Sequence, residues 1–294
     1  MIEPGDERAR PQSGPRFTDA VTFAWGDPAT ELYGLARAGL AAPNEATALA
    51  VLFAGRAPAG AIARGGIEIA PGSDFAALEL PGLVTTVGTP LRSWTVAFDG
   101  GETGFELTFE ALGAPAEIDP AEPFARVGAM RGYEQLCLVR GTARAGGREH
   151  PVACFGQRSH TWGDPDWERL EATRTLAAWL DDGTGLSVLT VRPAGAQAHA
   201  GEVGWGALLD PAGNVHVDEP RLSTTYDAGG RQRRAGLELW VGGDDGFARR
   251  AAGEVVCGST FELGTLRLDA AVFRWHSEGR SGIGRYDILH RAPR

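Results

Sequence analysis

The sequence predicts an all-β protein, and three observations carry that expectation. Glycine is abundant, 42 residues of 294, with no collagen-like period. Apolar and polar residues alternate over short runs, which is the pattern of a half-buried strand. Gly, Pro and Asp clusters interrupt these runs about every 8 to 12 residues, a spacing that suits a sandwich or barrel architecture of about 20 strands. Helical periodicity is sparse, and no exact internal repeat is visible.

Taken in order, residues 1–15 are charged, contain Pro and Gly and lack an apolar run, so they read as a disordered tail. Residues 32–40, 46–53 and 61–69 read as neighbouring strands. The Ala/Leu content of the second would also suit a short helix, and its strand-like neighbours decide for strand. Residues 93–98 and 105–110 alternate cleanly and are joined by Asp99-Gly100-Gly101, a hairpin signal. A second hairpin is expected at Ala145-Gly146-Gly147, which would place Cys137 and Cys154 on adjacent strands as reduced thiols. A helical turn is expected over 165–170, with Asp164 as its cap and Pro165 at its first position. A third hairpin is expected at residues 181–185, and further strands over 237–241 and 265–269.

Composition excludes several functions. The net charge of -10 argues against nucleic acid or an anionic membrane surface as the main partner. All 28 basic residues are arginine. Without lysine there is no lysine Schiff base and no P-loop nucleotide site. No apolar run reaches the roughly 18 residues of a membrane span. An odd cysteine count of three, with no secretory leader, points to a reducing compartment and a cytoplasmic location. No metal site is expected, because no histidines pair at helical or strand spacing and no Cys-x-x-Cys occurs. The glycines near the C-terminus have no room for a dinucleotide-binding βαβ unit, and no organic cofactor is expected.

One segment concentrates chemistry: Gly156-Gln157-Arg158-Ser159-His160-Thr161-Trp162-Gly163-Asp164-Pro165-Asp166-Trp167. Upstream lies Gly132-Tyr133-Glu134-Gln135, and near the end Gly282-Ile283-Gly284-Arg285-Tyr286-Asp287. Together these resemble the Gly-x-Arg-Asp-His-Ser-Trp-Gly signature and flanking motifs of the hydroxyneurosporene-synthase-like proteins. That superfamily includes carotenoid 1,2-hydratases and AttH-like proteins. The resemblance covers residues 16–291 and implies two packed lipocalin-like (calycin-type) antiparallel β-barrel domains. The expected division is a tail over 1–15, an N-terminal domain over 16–160 and a C-terminal domain over 161–294, with the signature at or beside the junction. Where the family has Asp before His, this chain has Ser159, so that acid is missing.

His160 is the first candidate for chemistry, because an imidazole titrates near neutrality and can pass a proton. It reads equally as a structural histidine across the junction. Trp162 alternates with His160, so both face one side of an extended segment, where an indole can stabilise a carbocation. Asp164 and Asp166 are acid and base candidates, or turn and cap residues around Pro165. Glu134 is either outward-facing or a buried acid with a raised pKa. Tyr133, Arg158, Trp162, Trp167 and Trp179 are the candidate substrate contacts. The aspartates of the 181–185 hairpin read as turn residues. The resemblance implies a cofactor-independent enzyme that hydrates, dehydrates, cyclises or isomerises a C=C bond of a hydrophobic isoprenoid or polyketide-type molecule. The competing reading is a non-catalytic carrier of a hydrophobic ligand.

Overall fold

The computed structural model describes residues 1–41, 44–196, 201–243 and 246–292. Strand makes up 68% and helix 4%, so the all-β expectation holds. The first sheet is built from β1 (Thr18–Asp27), β2 (Leu32–Ala41), β3 (Glu45–Ala54), β4 (Ala57–Glu68), β5 (Ala77–Leu80), β6 (Leu83–Thr89), β7 (Ser93–Asp99), β8 (Gly104–Ala111), β9 (Ala116–Ile118), β10 (Met130–Ala145) and β11 (Arg148–Gly163). The second follows from β12 (Leu170–Leu180), β13 (Gly185–Pro193), β14 (Val203–Leu209), β15 (Val215–His216), β16 (Glu219–Tyr226), β17 (Gln232–Val241), β18 (Phe247–Leu263), β19 (Leu266–Ser277) and β20 (Arg280–Arg291).

Both sheets share one plan. In the first, β1 to β4 step outward to one edge, the chain crosses over, and β5 to β11 return until β11 lies beside β1. In the second, β12 to β15 step outward and β16 to β20 return until β20 lies beside β12. All the pairings are antiparallel. Each sheet thus curls into a nearly closed barrel, the arrangement of two lipocalin-like domains.

Two kinds of burial explain why some strands were easy to read and others were not. β7 and β8 face solvent on one side, and buried and half-buried residues alternate along β7. β1, β2 and β3 are buried on both faces. Their odd or even residues fill the first barrel, as Val21, Phe23, Trp25, Ala36 and Leu52 do. The alternate residues pack on the second barrel: Ala24, Leu35, Leu49, Val51 and Phe53 meet Ala177, Trp179, Leu189, Val272 and Ile283. Two-sided burial erases the polar half of the alternation, which is why residues 46–53 could pass for a helix.

The hairpins at Gly100-Gly101, Gly146-Gly147 and Gly183 form as expected, with positive φ at Gly101, Gly146, Gly147 and Gly183. Cys137, Cys154 and Cys257 are all free. Glycines of the three motifs permit close strand approach. A Cβ at Gly284 would sit 1.9 Å from the Ala177 carbonyl oxygen, and one at Gly132 would sit 2.2 Å from that of His160.

Three expectations are corrected. In place of a helical turn over 165–170, residues 166–169 form a single turn that leads into β12, and its cap is Asp166, whose Oδ1 accepts from the Glu168 N–H at 3.1 Å. A short helix, α1 (Pro123–Gly128), was not read from the sequence; it buries Phe124 and Ala125. Residues 1–15 are not a free tail. Pro4–Glu7 form a 3-10 turn, and Glu7 is only 2% exposed. The segment's innermost anchor is a buried ion pair, Glu7 with Arg158, that no sequence pattern announces.

Candidate functional site

The signature lies on β11, and strand geometry sends its residues in two directions. Arg158 and His160 point into the first barrel, while Gln157 and Ser159 point toward the second. Tyr133 and Gln135, opposite His160 and Arg158 on β10, also point inward, whereas Glu134 pairs with Ser159 and points outward.

Inside the barrel, His160 Nε2 lies 2.7 Å from Asp19 Oδ1, and both side chains are shut off from solvent, at 0% and 1% exposure. The ring is held edge-on by Phe75, Tyr133 and Trp162, with centroids 5.1 to 5.8 Å away. His160 therefore has a carboxylate partner, but it is Asp19 of β1, not Asp164 or Asp166. Next to it, Arg158 is fully buried. Its Nη2 donates to Glu7 Oε1 at 2.6 Å and its Nε donates to Gln135 Oε1 at 2.9 Å. Burial pushes the Tyr133 phenol well above its ordinary pKa, keeping it a hydrogen-bond donor.

The N-terminal segment lies across this barrel end, and the sequence-predicted residues are what it binds. Glu7 meets Arg158 and Tyr133. The Arg10 guanidinium stacks over Trp162 at 4.2 Å, and the Arg10 N–H donates to Asp19 Oδ2 at 2.7 Å. The Ser13 hydroxyl donates to Asp164, and Arg16 pairs with Asp166 at 3.1 Å. Asp164 and Asp166 thus hold a strap of the chain's own residues. We call residues 4–16 the strap.

The outward face builds a second polar group between the barrels. Glu134 is fully buried, its Oε2 accepts from Gln157 Nε2 at 2.5 Å, and its Oε1 has no partner among the described residues. Burial pushes its pKa up to about 7, against the pull of Arg285 and the Gln157 hydrogen bond. From the second barrel, Asp287 pairs with Arg285 at 3.3 Å, and burial pushes its pKa up to about 6. Burial, followed by repulsion from Arg285, lowers Arg37 to about 10. Among the described residues, Gln157 Oε1, Asp287 Oδ1 and Arg285 Nε also lack partners. These four buried polar atoms of one interface leave hydrogen-bonding positions that water or another polar group can take.

A small void of about 10 Å³ adjoins this group, lined by Trp25, Leu35, Phe53, Trp179, Arg285 and Asp287 among others. On the far side of Ala270 and Ala271, which line both spaces, an open groove of about 730 Å³ runs past Arg56, Arg233, Cys257 and Arg274. Trp179, a candidate substrate contact, lines this void in the interface core and is not in the His160 group. Trp167 is half-buried against the same interface core. Asp182 is a turn residue whose Oδ1 accepts from the Thr184 N–H at 3.0 Å. Among the described residues, no His, Cys, Asp and Glu side chains group closely enough to hold a metal ion.

Sequence reading missed Asp19, Glu7, Gln157, Arg285 and Asp287. The last two sit in the closing motif, directly around Tyr286. A Tyr-acid step occurs in both motifs, Tyr133-Glu134 and Tyr286-Asp287. In each, the tyrosine fills its barrel and the acid enters the interface. That repeat was available as a signal. Asp19 and Glu7 offered none.

A family model described as a domain of unknown function (DUF7064) matches residues 3–292. The chain belongs to that family. No curated protein matches it by sequence. Solved structures share the fold of this DUF7064 chain. An AttH-like protein of Nitrosomonas europaea has a TM-score of 0.69 at 13% identity, covering 94% of this chain and 92% of its own. CghA, also solved with Sch210972, has a TM-score of 0.66 at 14% identity, with 95% and 89% covered. Kievitone hydratase of Nectria haematococca has a TM-score of 0.65 at 9% identity, with 93% and 88% covered. The AttH-like expectation is thus met at the level of fold.

Proposed function

We propose that this DUF7064 protein is a cofactor-independent enzyme that protonates a C=C bond of a hydrophobic isoprenoid or polyketide-type molecule, with Glu134 as the acid. The observation that carries this reading is a fully buried carboxyl group whose pKa burial pushes up to about 7, with one oxygen hydrogen-bonded to Gln157 and the other without a partner among the described residues. A neutral acid in an apolar setting can deliver a proton that an exposed glutamate, ionised at pH 7, cannot. Gln157 positions the carboxyl, and the indole of Trp179 shields the developing cation. Water takes the open acceptor positions of Gln157 and Asp287 and adds to the cation. Where no water adds, loss of a neighbouring proton completes an isomerisation or a cyclisation. Substrate enters from the groove, which shares Ala270 and Ala271 with the void.

The hydratase named among the fold neighbours, and the resemblance of the signature to carotenoid hydratases, support this reaction class. The His160–Asp19 pair then acts as a positioning device, holding β11 so that Gln157 meets Glu134. Three free thiols suit a reducing, cytoplasmic setting. The test is incubation in D2O with a panel of acyclic isoprenoid and polyketide-type alkenes. A product carrying one new carbon-bound deuterium, lost in Glu134→Gln, is the expected result. Alkenes that bind and are recovered without deuterium would replace the enzyme reading with the carrier reading, which the open groove favours.

A further inference from the structure

We propose that Arg158, Tyr133 and Leu91 form a receptor for the carboxylate of a hydrophobic acid, and that Glu7 occupies it in the closed protein as an internal stand-in. Four donors converge on the Glu7 carboxylate. Arg158 Nη2 reaches Oε1 at 2.6 Å and Nη1 reaches Oε2 at 3.3 Å. The Tyr133 hydroxyl donates to Oε1 at 2.8 Å, and the Leu91 N–H does so at 3.2 Å. A two-pronged guanidinium with flanking donors is the geometry that selects a planar carboxylate.

The receptor is prearranged. Gln135 donates its amide hydrogens to the Leu91 and Gly113 carbonyls, at 3.1 and 2.7 Å, so its oxygen is turned toward Arg158. That oxygen accepts from both Arg158 Nε and Nη2, fixing the guanidinium plane. Leu91 holds φ at 58°, a conformation leucine disfavours, and this sets the N–H that meets Glu7. The walls are aromatic: Trp94 and Tyr133 each lie 5.4 Å from the Arg158 guanidinium carbon.

The occupant differs from its receptor in how it is held. Glu7 belongs to no strand. Its neighbours Ala9 and Arg10 spend their N–H groups on the side chains of Asp74 and Asp19, not on a backbone ladder. A ligand carboxylate could replace that of Glu7 with no change in buried charge, whereas a dianionic phosphate would bring a charge with no partner. The apolar body of such a ligand would lie where residues 8–12 now cross Trp162. The second barrel repeats the pattern. Arg174 donates to Tyr286 at 3.2 Å and pairs with Glu202, which comes from the connection between β13 and β14. The inference does not depend on Glu134 being the acid of the proposed reaction.

The test uses the full chain, dodecanoate as probe and 1-dodecanol as its uncharged counterpart. Exchange lifts the strap, so dodecanoate should speed tryptic cleavage after Arg8 severalfold, and dodecanol should not. Calorimetry should show Glu7→Ala binding dodecanoate at least about tenfold tighter than wild type, because an occupied receptor lowers apparent affinity by its closed fraction. Should that variant fail to fold, wild-type cleavage decides alone. Equal effects of acid and alcohol, or dodecanoate with no effect on cleavage at saturating concentration, would overturn the proposal. Loss of the alkene reaction in Glu134→Gln would leave this result unchanged, so the two readings fail separately.

Discussion

Replacing Glu134 by glutamine should stabilise the protein above neutral pH while removing the proposed turnover. Burial raises the carboxyl from its ordinary 4.5 to about 7, so the folded chain holds a proton that the unfolded chain has released. Between those two values the native state binds more protons, and stability falls as pH rises. Each pK unit corresponds to about 1.4 kcal/mol, so the cost is absent below pH 4.5 and reaches about 3 kcal/mol above pH 7. Asp287 adds a cost of the same sign, since burial raises it from 3.8 to about 6. The window from pH 6 to 7 therefore separates the two acids. Across it, wild type should lose about 1 kcal/mol more than Glu134→Gln, while below pH 6 both share the Asp287 slope. Urea unfolding at half-unit steps from pH 5 to 8 reads the difference. Parallel curves for the two proteins would show that Glu134 ionises as an ordinary glutamate, and the acid assignment would fall with them.

Other outcomes follow from the same geometry. His160→Ala removes the side-chain partner of buried Asp19 and leaves it with the Arg10 N–H, a loss of about 3–5 kcal/mol measured by urea unfolding, so any activity lost with it must be compared with a refolded control. Asp166→Ala, although in the same signature, removes only a partly exposed pair and a turn contact, and should cost about 1 kcal/mol or less by the same assay. Trp179→Ala opens a cavity at the interface and should cost about 3–5 kcal/mol, seen as a lower thermal midpoint. Gly284→Ala places a methyl 1.9 Å from a carbonyl oxygen and should leave little soluble protein on expression.

The chemistry-bearing residues of the signature divide by strand parity, and that division explains what could be read in advance. Alternation told that His160 and Trp162 share a side and that Ser159 does not, and the rings indeed lie 5.1 Å apart. It could not tell that the opposite side is also buried. That fact made Glu134 an acid with a shifted pKa, not an outward-facing surface residue, and it depends on a second barrel packing against the first. Asp164 and Asp166 carried the right functional groups, yet their partners are Ser13 and Arg16, about 150 residues away in sequence.

The all-β class, the hairpins and the clean strands of the solvent-facing walls were determined by the sequence alone. Local alternation and turn chemistry act over a few residues, and no distant contact is needed to express them. The pairing of His160 with Asp19, the strap held by Glu7 and the acids gathered around Arg285 were decided only by tertiary structure. Each depends on desolvation and on contacts between segments far apart in the chain, and burial sets a carboxyl's pKa only once the surfaces that bury it have met.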